Sequence, residues 1–85
     1  MMSKVTIYTK MMCPYCVDAK LLLTEKGQAF DEIDIGRNPD QRPVMIDRAS
    51  GGHTVPQIFI GDTHVGGCDE LYALERAGKL DAMLA

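Results

Sequence analysis

In Val5-Thr6-Ile7-Tyr8-Thr9-Lys10-Met11-Met12-Cys13-Pro14-Tyr15-Cys16-Val17-Asp18-Ala19-Lys20-Leu21-Leu22-Leu23, a strand, a turn and a helix follow one another without a break, and the rest of the architecture is organised around them. Val5 to Tyr8 is short, apolar and β-branched, the pattern of a buried strand. Lys10 to Met12 form a turn that leads to Cys13. From Pro14 the pattern becomes helical and runs to Lys26. Proline is accommodated at the first helical position, where an N–H would have no partner anyway. Ala19, Leu22 and Leu23, with Val17 and Leu21 beside them, give a broad apolar face, whereas Asp18, Lys20, Glu25 and Lys26 suit solvent. Gly27 supplies the stop.

Phe30 to Ile35 alternates apolar and acidic residues and reads as a second strand. Asn38-Pro39-Asp40 leads into a helix over 39–50 that carries Val44, Met45, Ile46 and Ala49, and Ser50-Gly51-Gly52 ends it. Gln57 to Ile60 is a third strand. Gly61-Asp62 turns it into a fourth, Thr63 to Val65, which is a hairpin signal. Gly66-Gly67 breaks the strand, a helix follows from Asp69 to Arg76, and a short one spans Leu80 to Leu84. The order β-α-β-α-β-β-α predicts a single α/β domain over residues 1–85. Its first β-α-β should be parallel with a right-handed crossover, and the closing hairpin should add antiparallel strands to one side. The result is a four-stranded mixed sheet flanked by helices.

Composition narrows the function. With 46% hydrophobic residues in 85, the chain can bury a core. A net charge of −3 does not favour nucleic acid or anionic membranes. Met1-Met2-Ser3-Lys4 and the strand after it lack the apolar stretch of about 7–15 residues that marks a secretory leader. No run of about 18 apolar residues suggests a membrane span. A cytoplasmic protein is the expectation. Three cysteines is an odd number, which argues against a secreted disulfide framework. In a reducing compartment a close pair is catalytic or metal-binding more often than structural.

Cys13 and Cys16 are that pair. A thiolate is the nucleophile in disulfide exchange. An ordinary thiol, with a pKa of about 8.5, is only a few per cent ionised at neutral pH. Bringing it to about 6.5 requires about 2.7 kcal/mol of preferential stabilisation of the anion. Cys13 stands at a helix N-terminus, where free amides and the macrodipole favour negative charge, and Lys10 adds a cation nearby. Cys16, one turn further in, is near enough for a disulfide and more shielded. Cys13 is therefore the expected attacking thiol and Cys16 the resolving thiol. A passive disulfide and a zinc site are the competing readings. Zinc needs four ligands, and Cys68, His53 and His64 stand at none of the usual spacings. His53 and His64 read as surface residues.

Four elements together make the chain resemble the glutaredoxins over essentially its whole length. They are Cys13-Pro14-Tyr15-Cys16 after Tyr8-Thr9-Lys10, then Thr54-Val55-Pro56, Ile58-Phe59-Ile60-Gly61, and Gly66-Gly67-Cys68-Asp69. The resemblance implies a thioredoxin-like fold and glutathione as co-substrate and electron source. Disulfide-containing or glutathionylated proteins become the substrates, ribonucleotide reductase being a family-level candidate. It implies a cis peptide before Pro56 that turns the Val55 backbone toward the site, where its N–H and C=O can pair with an extended thiol peptide. A turn proline is the plainer reading.

The same resemblance gives the helix start at Gly67 and Cys68 to the γ-glutamyl carboxylate of glutathione and Asp69 to its ammonium group. For Asp69 a helix cap stands beside that role. Lys10 and Arg42 become candidates for the glycyl carboxylate, and Tyr15 for the groove wall, with Thr54 alongside. Met11-Met12 precedes the first cysteine where the family more usually has polar residues; two flexible thioethers beside the nucleophile offer an adaptable contact for partner proteins or ordinary packing. Two rivals remain. One is a thioredoxin substitute reduced by a flavoprotein, against which the 54–56 and 67–69 elements weigh. The other is a carrier of an iron–sulfur cluster held by Cys13 of two subunits, against which Pro14 speaks. A monomer without metal is expected.

Overall fold

A computed structural model describes residues 4–85. Met1, Met2 and Ser3, part of the segment read for the lack of a leader, lie outside the described residues. Eight elements follow in order: β1 (Val5–Thr9), α1 (Pro14–Glu25), β2 (Asp31–Asp34), α2 (Gln41–Arg48), β3 (Gln57–Ile60), β4 (Thr63–Gly66), α3 (Cys68–Arg76) and α4 (Leu80–Leu84). The sheet order is β2-β1-β3-β4. β1 pairs with β2 in parallel and with β3 antiparallel, and β3 with β4 antiparallel. This is the expected mixed sheet, in a thioredoxin-like fold.

Strand alternation divides the core in two. Val5 and Ile7 of β1 and Ile58 and Ile60 of β3 point to one face, where Ala19, Leu22 and Leu23 of α1, Leu71 of α3 and Leu80 and Leu84 of α4 cover them. Tyr8 and Phe59 point to the other, where they meet Met45 of α2, Ala49 just past its end, and Ile35. Three helices thus lie on one side of the sheet and α2 alone on the other. Both faces of the central strands are buried, which is why β1 reads as a continuous apolar run.

The structure corrects several boundaries. β2 is shorter than Phe30–Ile35, and Ile35 instead donates its N–H to the Thr9 carbonyl as the chain leaves the sheet (2.9 Å). α2 begins at Gln41, because Gln41 N–H closes a turn onto Asn38 O (2.9 Å), and Pro43 fits within its first turn. α2 stops at Arg48, before the left-handed Ser50 (φ 53°). β4 extends through Gly66, and α3 starts one residue early, at Cys68. The apolar face of α1 is also narrower than expected. Cys16, Ala19, Leu22 and Leu23 are buried, whereas Val17 and Leu21 are 50% and 52% exposed. Among the described residues, no helix is long and apolar enough to cross a membrane.

Candidate active site

β1 runs straight into the site. Its last residues are buried, and a tight turn follows in which Met12 adopts a left-handed conformation (φ 57°) with its side chain 98% exposed. That turn sets Cys13 as the residue capping α1, in an extended conformation (φ −113°, ψ 101°). Its Sγ accepts the Cys16 N–H at 3.2 Å, and its carbonyl accepts the Val17 N–H at 3.1 Å. Pro14, the first helical residue, has no amide to leave unpaired. A helix-start amide aimed at sulfur stabilises negative charge there.

Cys13 is partly exposed and Cys16 is 2% exposed; both are free thiols. Burial above all pushes the Cys16 thiol up to about 12, reinforced by its hydrogen bond with Cys13 and by the charge on Cys13. A backbone contact from Lys10 and the charge of Lys20 offset this in part. Cys16 is therefore held as a thiol. Burial also pushes the Cys68 thiol up, helped by the nearby Asp18 and Asp69 carboxylates.

Opposite Cys13, the chain passes through a cis peptide between Val55 and Pro56. The Cys13 thiol donates to the Val55 carbonyl across 3.9 Å, joining segments 42 residues apart. On one side of Val55 lies an open groove of about 350 Å³. Tyr15, Thr54, Val55 and Pro56 line it together with Gly67, Cys68, Asp69 and Glu70 from the start of α3. Amides in the first turn of a helix have no intrahelical partners, and Gly67 brings no side chain to cover those of α3. On the other side of Val55 is a groove of about 510 Å³, lined by Lys10, Arg42 and His53 as well as Thr54 and Val55. A third cleft, of about 270 Å³, holds Cys13 and Cys16 between Met11, Met12 and Val17.

All eleven residues singled out from sequence line these three connected depressions. Tyr15, Thr54, Val55, Pro56, Gly67, Cys68 and Asp69 share the first. Lys10 and Arg42 both line the second. His53 and His64 are exposed, as read, but His53 lines the second groove.

Glu70 was missed. Its carboxylate accepts the Gly67 N–H at 2.7 Å, half of a capping box, and a Glu three residues after a helix cap is the signal that would have found it. The two glycines differ in conformation. Gly66 takes a left-handed φ of 116°, whereas Gly67 (φ −95°) does not. Beneath the cysteines, Glu32 accepts hydrogen bonds from Thr9 Oγ1 (2.7 Å) and Lys20 Nζ (3.0 Å). Burial raises its carboxyl, but those two bonds outweigh burial and leave it below the usual carboxylate range. Among the described residues, no three His, Cys, Asp or Glu side chains gather to hold a metal ion.

The grooves thus set a helix start and Asp69 on one side of the thiols and two cations, Lys10 and Arg42, on another. The Glutaredoxin family model matches residues 5–65. A glutaredoxin of Pseudomonas aeruginosa is 57% identical over 84 residues, covering 99% of each chain. The solution structure of glutaredoxin from Brucella melitensis matches with a TM-score of 0.84 at 58% identity, over 98% of this chain and 89% of that one. The crystal structure of a buckwheat glutaredoxin–glutathione complex matches with a TM-score of 0.86 at 33% identity, over 94% of this chain and 74% of that one. With its paired thiols at a strand-to-helix turn and relatives alike over nearly its full length, the chain belongs to the glutaredoxin family, whose members are glutathione-dependent thiol–disulfide oxidoreductases.

Proposed function

We propose that the protein reduces glutathione mixed disulfides and protein disulfides, with Cys13 as nucleophile and Cys16 as resolving thiol. The observation that carries this is the 3.2 Å contact from the Cys16 amide to Cys13 Sγ, which aims a helix-start donor at the outer, accessible sulfur while Cys16 stays buried and protonated. With a glutathionylated protein, the Cys13 thiolate attacks the glutathione sulfur. A Cys13–glutathione disulfide forms, and the protein thiolate leaves and takes a proton from water. The thiolate of a second glutathione then attacks the glutathione sulfur of that adduct, releasing oxidised glutathione and restoring the Cys13 thiolate.

A protein disulfide is handled in three steps. Cys13 forms a mixed disulfide and expels one protein thiolate. Cys16 loses its proton to that leaving group or to water, attacks Cys13 Sγ and expels the second. Two glutathiones reduce the Cys13–Cys16 bond and leave as oxidised glutathione, so two electrons pass in all.

In this reading Tyr15, Thr54, Val55, Pro56, Gly67, Cys68 and Asp69 form the glutathione site. The Val55 backbone pairs with the cysteinyl unit. The α3 amides and Asp69 take the γ-glutamyl end, and Lys10 and Arg42 the glycyl carboxylate. The buckwheat complex with glutathione supports this assignment by likeness of fold. The protein acts as a monomer in the cytoplasm, where the glutathione pool supplies reductant, and ribonucleotide reductase is one candidate protein substrate.

The test is NADPH consumption in the presence of glutathione reductase, with the mixed disulfide of glutathione and 2-mercaptoethanol as substrate. Turnover that requires glutathione supports the reading. Turnover with NADPH and a flavoprotein dithiol reductase, and none with glutathione, would overturn it.

A further inference from the structure

Gln57 is a buried amide, 5% exposed, and it directly follows Pro56. Its Nε2 donates to the Thr54 carbonyl at 2.9 Å, while its Oε1 lies 2.6 Å from His64 Nε2. These two contacts settle the hydrogens. With the amide nitrogen committed to Thr54, only the amide oxygen faces His64, so His64 Nε2 must carry a proton. The imidazole is itself held in place, stacked on Phe59 with centroids 4.9 Å apart and planes at 28°. Phe59 in turn carries the Arg48 guanidinium 4.2 Å from its centroid, and Arg48 donates to Tyr8 Oη at 2.8 Å. The bare Cα of Gly52 leaves room for the arrangement, since a Cβ there would stand 3.1 Å from Gln57 Nε2.

Thr54, whose carbonyl Gln57 holds, lines both large grooves together with Val55. A buried donor on that carbonyl limits how the segment between Thr54 and Pro56 can shift. We propose that Gln57, oriented by the Nε2–H of His64, is a positioning residue for glutathione recognition, fixing the Thr54–Val55 backbone beside Cys13. The inference rests on the glutathione site proposed above. Neither residue belongs to the four elements that carry the family resemblance as binding groups, and His64 lies on the far side of Gln57 from Thr54.

The test compares Gln57→Glu, His64→Leu and His64→Gln with the parent protein, using a short glutathionylated peptide as substrate. Glutamate sets a carboxylate oxygen where the Thr54 carbonyl needs a donor. The KM of Gln57→Glu should rise about five- to tenfold with kcat changed less than about twofold. His64→Leu removes the orienting donor and should raise KM in the same direction. His64→Gln, whose amide nitrogen can stand where Nε2 stood, should restore KM to within about twofold.

Thermal midpoints are recorded for each variant, and long-range ¹H–¹⁵N spectra report the His64 tautomer in the parent. The Nε2–H form supports the proposal, and the Nδ1–H form would overturn it. Parent-like KM in both Gln57→Glu and His64→Leu would also overturn it, as would equal losses in His64→Leu and His64→Gln. If the parent itself fails to turn over with glutathione, it is the glutathione reading that falls. If the parent turns over and the variants match it, only the relay falls.

Discussion

The backbone amide of Cys16 points at Cys13 Sγ across 3.2 Å, and the helical turn that supplies this donor also buries the Cys16 side chain to 2% exposure. One piece of backbone thus treats two thiols in opposite ways: it offers a donor to the outer sulfur and withdraws the inner one from water. Selective chemistry should follow. Iodoacetamide at pH 7.5 should alkylate Cys13 at least about tenfold faster than Cys16 or Cys68 in the reduced native protein. Peptide mapping by mass spectrometry checks this, and comparable labelling of Cys13 and Cys16 would contradict it.

Stability should fall in alkali. Burial raises the Cys16 thiol to about 12 and raises Cys68 as well, so the folded state holds those protons more tightly than the unfolded chain. At neutral pH both states are protonated and the full stability is present. As pH rises past the unfolded thiol value of about 8.5, the unfolded state ionises first and unfolding becomes easier, up to the folded value. The urea midpoint of the reduced protein should therefore decline between about pH 9 and 11. Cys16→Ala should show a shallower decline across that interval. Parallel curves would show that Cys16 ionises as readily folded as unfolded.

Gly66 and Gly67 should respond differently to alanine. At Gly66, φ is 116° and a Cβ would lie 2.7 Å from Glu70 Oε1, the atom that accepts the Gly67 N–H. Gly66→Ala must strain the backbone and displace Glu70, at a cost of about 1–3 kcal/mol. At Gly67 the nearest contacts would be 3.4 Å, ordinary packing, and Gly67→Ala should cost under about 0.5 kcal/mol. Calorimetric midpoints distinguish the two, since each kcal/mol moves Tm by about 4–8 °C in a domain of this size.

The groove shared by Lys10 and Arg42 should show modest, salt-sensitive contributions. Both side chains are exposed, so Lys10→Ala and Arg42→Ala should each raise the KM for glutathione about two- to fivefold. The difference should shrink as ionic strength increases, while kcat stays within about twofold. An unchanged KM in both variants would remove the glycyl-carboxylate role from this groove.

The strands, the helix after Cys13 and the shielding of Cys16 relative to Cys13 were legible because each has a local signature: β-branched runs, proline at the first helical position, a thiol at a helix start with a second one turn further in. Boundaries were less so. Ile35 reads as strand by alternation, yet it bonds to Thr9 as the chain turns away. Val17 and Leu21 read as core by hydropathy, yet the core is covered by the stripe through Ala19, Leu22 and Leu23, and both stand about half exposed beside it. The Gln57–His64 contact could not be seen in sequence at all. It depends on a hairpin register that places His64 opposite Phe59, and a pairing across strands leaves no local pattern. Glu70 was readable in principle from its capping-box spacing, but the glycine at the cap position hid a motif usually recognised by Ser or Thr.

In the proposed cycle on a glutathione mixed disulfide, Cys13 alone carries the chemistry. The most direct measurement is turnover of a glutathionylated peptide by Cys13→Ser and Cys16→Ser, with glutathione, NADPH and glutathione reductase. Cys16→Ser should keep activity within a few-fold of the parent, since Cys16 takes no part in that cycle. Cys13→Ser should lose about a thousandfold or more. Equal loss in the two variants, or activity surviving in Cys13→Ser, would contradict the account.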